Sequence, residues 1–149
     1  MNINELQELL IKFRTSLEEY KGIQEIQDEY DIDINDIMSL FPKSCCSYVC
    51  KFLGHYLKYD LRIEPIVSYF GIFKIGGHHE WLKYKDNIID ITLDQFDNKL
   101  PKIFISSQSD FHENKFSLIK ETKGLFEFKH WNKSQIKYYD GLIKSISIK

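Results

Sequence analysis

His79-Glu80-Trp81-Leu82-Lys83-Tyr84, Lys85-Asp86-Asn87 and Ile88-Ile89-Asp90-Ile91 run on without a break, and this stretch decides the fold. The first six residues alternate as a half-buried strand does, the triplet after them has turn chemistry, and the isoleucines resume a strand. The stretch reads as a β-hairpin carrying His79 on one arm and Asp90 on the other. Gly76-Gly77 separates it from Ile63 to Phe73, a β-branched and aromatic run that reads as another strand. Pro101 opens a further strand at Lys102 to Ile105. Beyond Phe116, Leu125 to His130 is strand-like and Ser134 to Ile146 reads as a helix.

Upstream of the hairpin the apolar period lengthens. Leu6, Leu9, Leu10, Phe13 and Leu17 recur at helical spacing between Asn4 and about Tyr20, with Asn4 as the expected cap and Gly22 as the stop. The segment Ile23 to Met38 fits helix or loop, with a short helix near Asn35 to Leu40 as the preferred reading. Phe41-Pro42-Lys43-Ser44 is a turn, and Ser44 is the expected cap of a helix from Cys45 to about Tyr59. Val49, Phe52, Leu53, Tyr56 and Leu57 form that helix's buried stripe, and Gly54 allows close approach of a neighbour. The expected architecture is α+β, an N-terminal helical layer packed on an antiparallel β-sheet, with residues 1–149 forming a single domain.

Composition narrows the function. Apolar residues at 43% can fill a real core, so global disorder is not expected. Twenty Lys and Arg against 22 Asp and Glu give a net charge of -2, which offers no field for nucleic acid or an anionic membrane surface. No apolar run spans a bilayer and no signal-peptide pattern opens the chain, so the expectation is a soluble protein, cytoplasmic or delivered without a classical signal peptide. Cys45, Cys46 and Cys50 are too close together to staple distant segments.

The cysteines point instead to chemistry. A thiol attacks as thiolate, and the first turn of a helix favours that charge through its unpaired N–H groups and dipole. Cys46 falls in such a turn, His79 can take its proton, and Asp90 across the hairpin can hold the imidazole in one tautomer. Asp90 is conspicuous, because a carboxylate between Ile89 and Ile91 must face solvent or have a partner.

Cys, His and Asp in this order, within Phe41-Pro42-Lys43-Ser44-Cys45-Cys46, His79-Glu80-Trp81-Leu82 and Ile88 to Phe96, resemble the Cys, His-x-Trp and Asp blocks of the transglutaminase-like and papain-like cysteine enzymes. The resemblance covers about the middle third of the chain. It implies a papain/transglutaminase-like core, Cys46 as nucleophile, His79 as base and then acid, and Asp90 as the residue that orients His79. It puts Trp81 beside the site and makes Cys45 and His78 neighbours able to take over a role. The backbone N–H of Cys46 is one oxyanion donor, and Gln95 is a candidate for the second by residue type. The implied activity is thiol-dependent amide hydrolysis or acyl transfer on a protein or peptide substrate, as peptidase, glutamine deamidase or transglutaminase, with no metal or organic cofactor.

Two other readings stand beside this one. Cys45, Cys46, Cys50, His55, His78 and His79 are the ligand types of a metal-binding module, although no second Cys pair completes a zinc pattern. The same fold without activity would serve as a protein-interaction domain of immunity or adaptor type, for which nine Tyr supply surface. Ser106-Ser107-Gln108-Ser109 and His112 read as an ordinary polar loop, with a substrate-side loop as the alternative. Asp94 and Gln95 either line the cleft or cap a turn.

Overall fold

The computed structural model describes residues 1–22 and 34–148. Helix α1, Ile3–Glu19, is capped by Asn2 and not by Asn4: Asn2 Oδ1 accepts the Glu5 N–H at 2.8 Å, and Glu5 Oε2 accepts the Asn2 N–H at 3.0 Å. The reciprocal box needs an acidic or amide side chain three residues on, and Glu5 provides it two residues earlier than Gln7 would. Leu6, Leu10, Phe13 and Leu17 are buried along one stripe. Of the ambiguous segment, residues 23–33 lie outside the described residues, and the remainder forms α2, Ile34–Met38.

Helix α3 is Cys46–His55 and passes into a π-helical turn, Tyr56–Asp60. Ser44 does not cap it. Ser44 lies in the left-handed region at φ 61°, a conformation that favours glycine, and Cys45 takes the cap position with no side-chain hydrogen bond. Gly54 is required for packing, since a Cβ there would lie 2.0 Å from the Phe126 ring.

Strands β1 (Ile66–Phe73), β2 (His78–Tyr84), β3 (Asn87–Asp90), β4 (Phe104–Ser106) and β5 (Phe116–Thr122) form one antiparallel sheet in the order β4-β3-β2-β1-β5. The hairpin is present as read, with Leu82 opposite Ile89 and Tyr84 opposite Asn87. The tail differs from expectation. β5 lies at Phe116–Thr122, whereas Leu125 to His130 is no strand: Gly124 turns the chain at φ 77°, Phe126 packs on Gly54, and Phe128–His130 is a 3-10 turn. Helix α4, Asp110–Asn114, lies between β4 and β5, and α5, Lys133–Ile148, follows the sheet.

The molecule is thus α+β, with one core between the helices and one sheet face. Val49, Phe52 and Leu53 of α3 share it with Ile66, Leu82, Tyr84 and Ile89 of the sheet. The helical layer is not N-terminal alone, because α5 packs against α1 and α2 and adds Tyr138, Tyr139 and Leu142 to the core. Burying each large apolar side chain contributes about 1.5–3 kcal/mol, so this shared face fixes the register of the hairpin. No described helix is long and apolar enough to cross a membrane.

Candidate active site

Register decides where the hairpin's polar residues point. Leu82, Tyr84 and Ile89 face the helical layer, so His79, Trp81 and Asp90, one position out of phase, face the other side. The β2–β3 ladder runs only from Leu82/Ile89 to Tyr84/Asn87, which leaves His79 beyond the last paired position. There β3 no longer flanks β2, and Cys46 at the start of α3 bears on the ring.

Asp90 is the hub. Its Oδ1 accepts the backbone N–H of Thr92 at 3.0 Å and the Thr92 hydroxyl at 3.3 Å, a local turn that fixes the carboxylate. Its Oδ2 lies 2.6 Å from His79 Nε2 and 2.8 Å from His112 Nε2. A carboxylate only accepts, so both Nε2 atoms carry protons. Burial alone would raise the Asp90 carboxyl, but the charge of His79 and the hydrogen bonds from His112 and His79 outweigh it and hold Asp90 well below the usual carboxylate range.

The two imidazoles differ at their second nitrogen. His112 Nδ1 lies 2.6 Å from Ser109 Oγ, and Oγ also accepts the His112 backbone N–H at 3.1 Å as the cap of α4. His112 is committed on both sides. His79 Nδ1 is buried with no formed hydrogen bond. The neighbour that acts on it is Cys46. Burial would lower the His79 proton affinity, yet Asp90, through charge and hydrogen bond, and then the Cys46 thiol raise it to about 9. Cys46 is the first residue of α3, where unpaired N–H groups favour a thiolate. The structure therefore joins His79 to Asp90 directly and sets Cys46 close enough to bear on the ring.

The other two cysteines are held as thiols. Burial, reinforced by Cys46, pushes Cys45 up to about 12, and burial pushes Cys50 well above its ordinary value. Cys45 belongs to the core and does not line a cleft. His78 is exposed and stacks on Phe70, with the ring centroids 5.1 Å apart, away from Asp90. Trp81 is buried 5.9 Å from the His79 ring and meets His112 edge-on at 4.9 Å. Gln95 ends a 3-10 turn after β3, and its Nε2 is buried with no acceptor. Asp94 does not line a cleft but binds Arg14.

The comparisons with known proteins identify nothing. No family model, curated protein or solved structure matches the chain.

Ser109 and His112, read from the sequence as part of an ordinary polar loop, join the site through Asp90. Ser109 three positions before His112, at the start of a short helix, is a capping signature, but nothing local shows that the ring reaches a carboxylate 22 residues away. The ligand set Cys45, Cys46, Cys50, His55, His78 and His79 is not assembled: His55 Nδ1 is bonded to the Phe126 carbonyl at 2.6 Å. Among the described residues, the one donor cluster close enough to share an ion is His79, Asp90 and His112. Its 2.6 and 2.8 Å contacts are hydrogen-bond lengths. Ligands about 2.1 Å from one tetrahedral ion would stand roughly 3.4 Å apart.

Proposed function

We propose that this chain is a thiol-dependent amide hydrolase or acyl transferase on a papain/transglutaminase-like core, with Cys46 as nucleophile, His79 as base and acid, and Asp90 as the positioning residue. One observation carries the reading: the His79 ring is tethered at Nε2 by Asp90, its buried Nδ1 makes no hydrogen bond, and Cys46 at a helix mouth is close enough to raise the ring's proton affinity. Below about pH 9 the His79 ring holds its second proton and pairs with the Cys46 sulfur as a thiolate, which attacks the substrate's carbonyl carbon. The tetrahedral oxyanion collapses as the C–N bond breaks, and His79 returns the proton to the leaving amine. Water, deprotonated by His79, or an amine then cleaves the thioester and restores the thiol. The Cys46 N–H is one oxyanion donor, and the Gln95 amide, buried with unused donor capacity, is the candidate for the second. The substrate is a protein or peptide amide, either the main-chain bond or a glutamine side chain.

Iodoacetamide at mildly acidic pH tests the reading. Cys46 should be alkylated faster than a free thiol of ordinary pKa, while Cys45 and Cys50 stay unmodified until the chain unfolds. Mass spectrometry of protein substrates incubated with wild type and Cys46→Ala then separates deamidation from cleavage and crosslinking. Identical products from the two, with Cys46 no faster than a free thiol, would leave the enzyme reading without support. The burial of the site favours a second reading, because Cys46 is 8% exposed and His79 and Asp90 are 0% and 2% exposed. On that reading the fold is an inactive interaction domain, and the same unreactive Cys46 is its signature.

A further inference from the structure

Outside the wall formed by Phe96 and Phe111 lies an open cleft of about 730 Å3. Both rings stand edge-on to the His79 imidazole, at centroid distances of 4.8 Å for Phe96 and 6.4 Å for Phe111, with interplanar angles of 89°. Phe96 is 41% exposed, so it is the ring that separates the imidazole from the cleft. Phe73 and Ile75 complete the apolar lining, and Ile75 is 96% exposed. An isoleucine that open on a tight glycine turn has no folding role to explain it. The volume falls within the roughly 300–1,000 Å3 usual for small-molecule sites.

The polar part of the lining has one sign. Lys74, Lys115 and His78 stand around the cleft and no carboxylate lines it, although the chain carries slightly more acids than bases. The Lys74 N–H donates to the Lys115 carbonyl at 3.0 Å, which fixes the two cationic residues side by side. An apolar floor under a cationic rim suits a ligand that is apolar at one end and anionic at the other.

We propose that this cleft binds a group that is apolar at one end and anionic at the other, and that the peptide substrate presented to Cys46 carries such a group, an aromatic or aliphatic side chain beside a carboxylate. The second half of this statement rests on the thiol chemistry proposed above; the binding site itself does not.

The probe is 1-anilinonaphthalene-8-sulfonate, an aryl anion, titrated by fluorescence against the full chain. The expected result is saturable binding of one equivalent, weakened roughly tenfold in Lys74→Glu/Lys115→Glu, where two exposed charges are reversed. Ile75→Asp should weaken it likewise. Near-UV circular dichroism of each variant should match wild type, because all three residues are exposed. Equal affinity in the charge-reversed variant, equal affinity for an uncharged aryl probe, or no saturable binding overturns the site. Saturating probe should also slow Cys46 alkylation, since its occupant stands against Phe96, and an unchanged rate overturns the assignment as a substrate pocket. Cys46→Ala should bind the probe as wild type does. A chain that binds the probe but whose Cys46 is no more reactive than a free thiol keeps the site and loses the thiol chemistry.

Discussion

A carboxylate buried among isoleucines survives only if its lone pairs are used, and Asp90 uses them on two imidazoles and Thr92. Asp90→Asn removes the charge that holds the His79 proton, so the imidazole should fall from about 9 toward its ordinary value near 6.5. The sign for stability follows. The folded value is raised above the unfolded one, so the contribution of His79 is complete below pH 6.5 and is lost as pH rises through about 9. Thermal melts of wild type should therefore decline across that window, and melts of Asp90→Asn should be flatter; equal slopes would contradict the coupling. On the proposed chemistry, Asp90→Asn also lowers turnover by about 10²- to 10⁴-fold, because the ring loses its tautomer and orientation. Asp90 was legible in the sequence because its setting was wrong for an idle residue. His112 was not, because a histidine in a polar loop violates nothing until the fold brings it to Asp90.

Short elements carry the parts of the site that pattern could not reveal. Helix α4 has five residues and owes its start to Ser109, whose Oγ serves both the His112 N–H and the His112 ring. Ser109→Ala should cost about 1–2 kcal/mol in urea unfolding, through the lost cap and the unsatisfied ring nitrogen, and Ser109→Thr should restore most of it. A loss within 0.5 kcal/mol would mean the helix is held from elsewhere, about the scale of a neutral surface change. The same contrast explains which elements were legible. The hairpin and α3 each bury one face against the core, so their apolar periods are strict. β5 is an edge strand with exposed residues from Ser117 to Glu121, and with no buried face it leaves no alternation to read. Leu125 to His130 misled for the opposite reason: its aromatic residues pack by single contacts, such as Phe126 in the space left by Gly54.

Across the whole molecule, one guanidinium links the segments that present the site. Arg14 of α1 is 4% exposed and grips Asp94 through both ends, Nη1–Oδ1 at 2.6 Å and Nη2–Oδ2 at 2.8 Å. The same Nη1 donates to the carbonyls of Ile91 at 2.9 Å and Lys102 at 3.1 Å, and the guanidinium lies 5.0 Å from the Phe41 ring centre. Ile91 and Asp94 follow Asp90, while Phe41 opens the turn that delivers Cys46 to the mouth of α3, so Arg14 spans the two ends of the proposed triad. Nothing in the amphipathic pattern of α1 marks this, since an arginine beside the apolar stripe reads as a solvated charge. Arg14→Ala should cost about 3 kcal/mol, the low end for breaking a buried pair, because the Asp94 side chain keeps 11% of its exposure. Arg14→Lys should recover little, as an ammonium cannot bridge two carboxylate oxygens and two carbonyls in one plane. Arg14→Met with Asp94→Leu should recover much of the loss, because no charge is then left buried without a partner. Urea unfolding of the three variants reads these differences directly. If Arg14→Ala costs less than 1 kcal/mol, the ends of the triad are held by the core alone. If it costs the predicted amount and also slows Cys46 alkylation under conditions where the chain stays folded, the distance between the helix mouth and the hairpin is set by this one side chain.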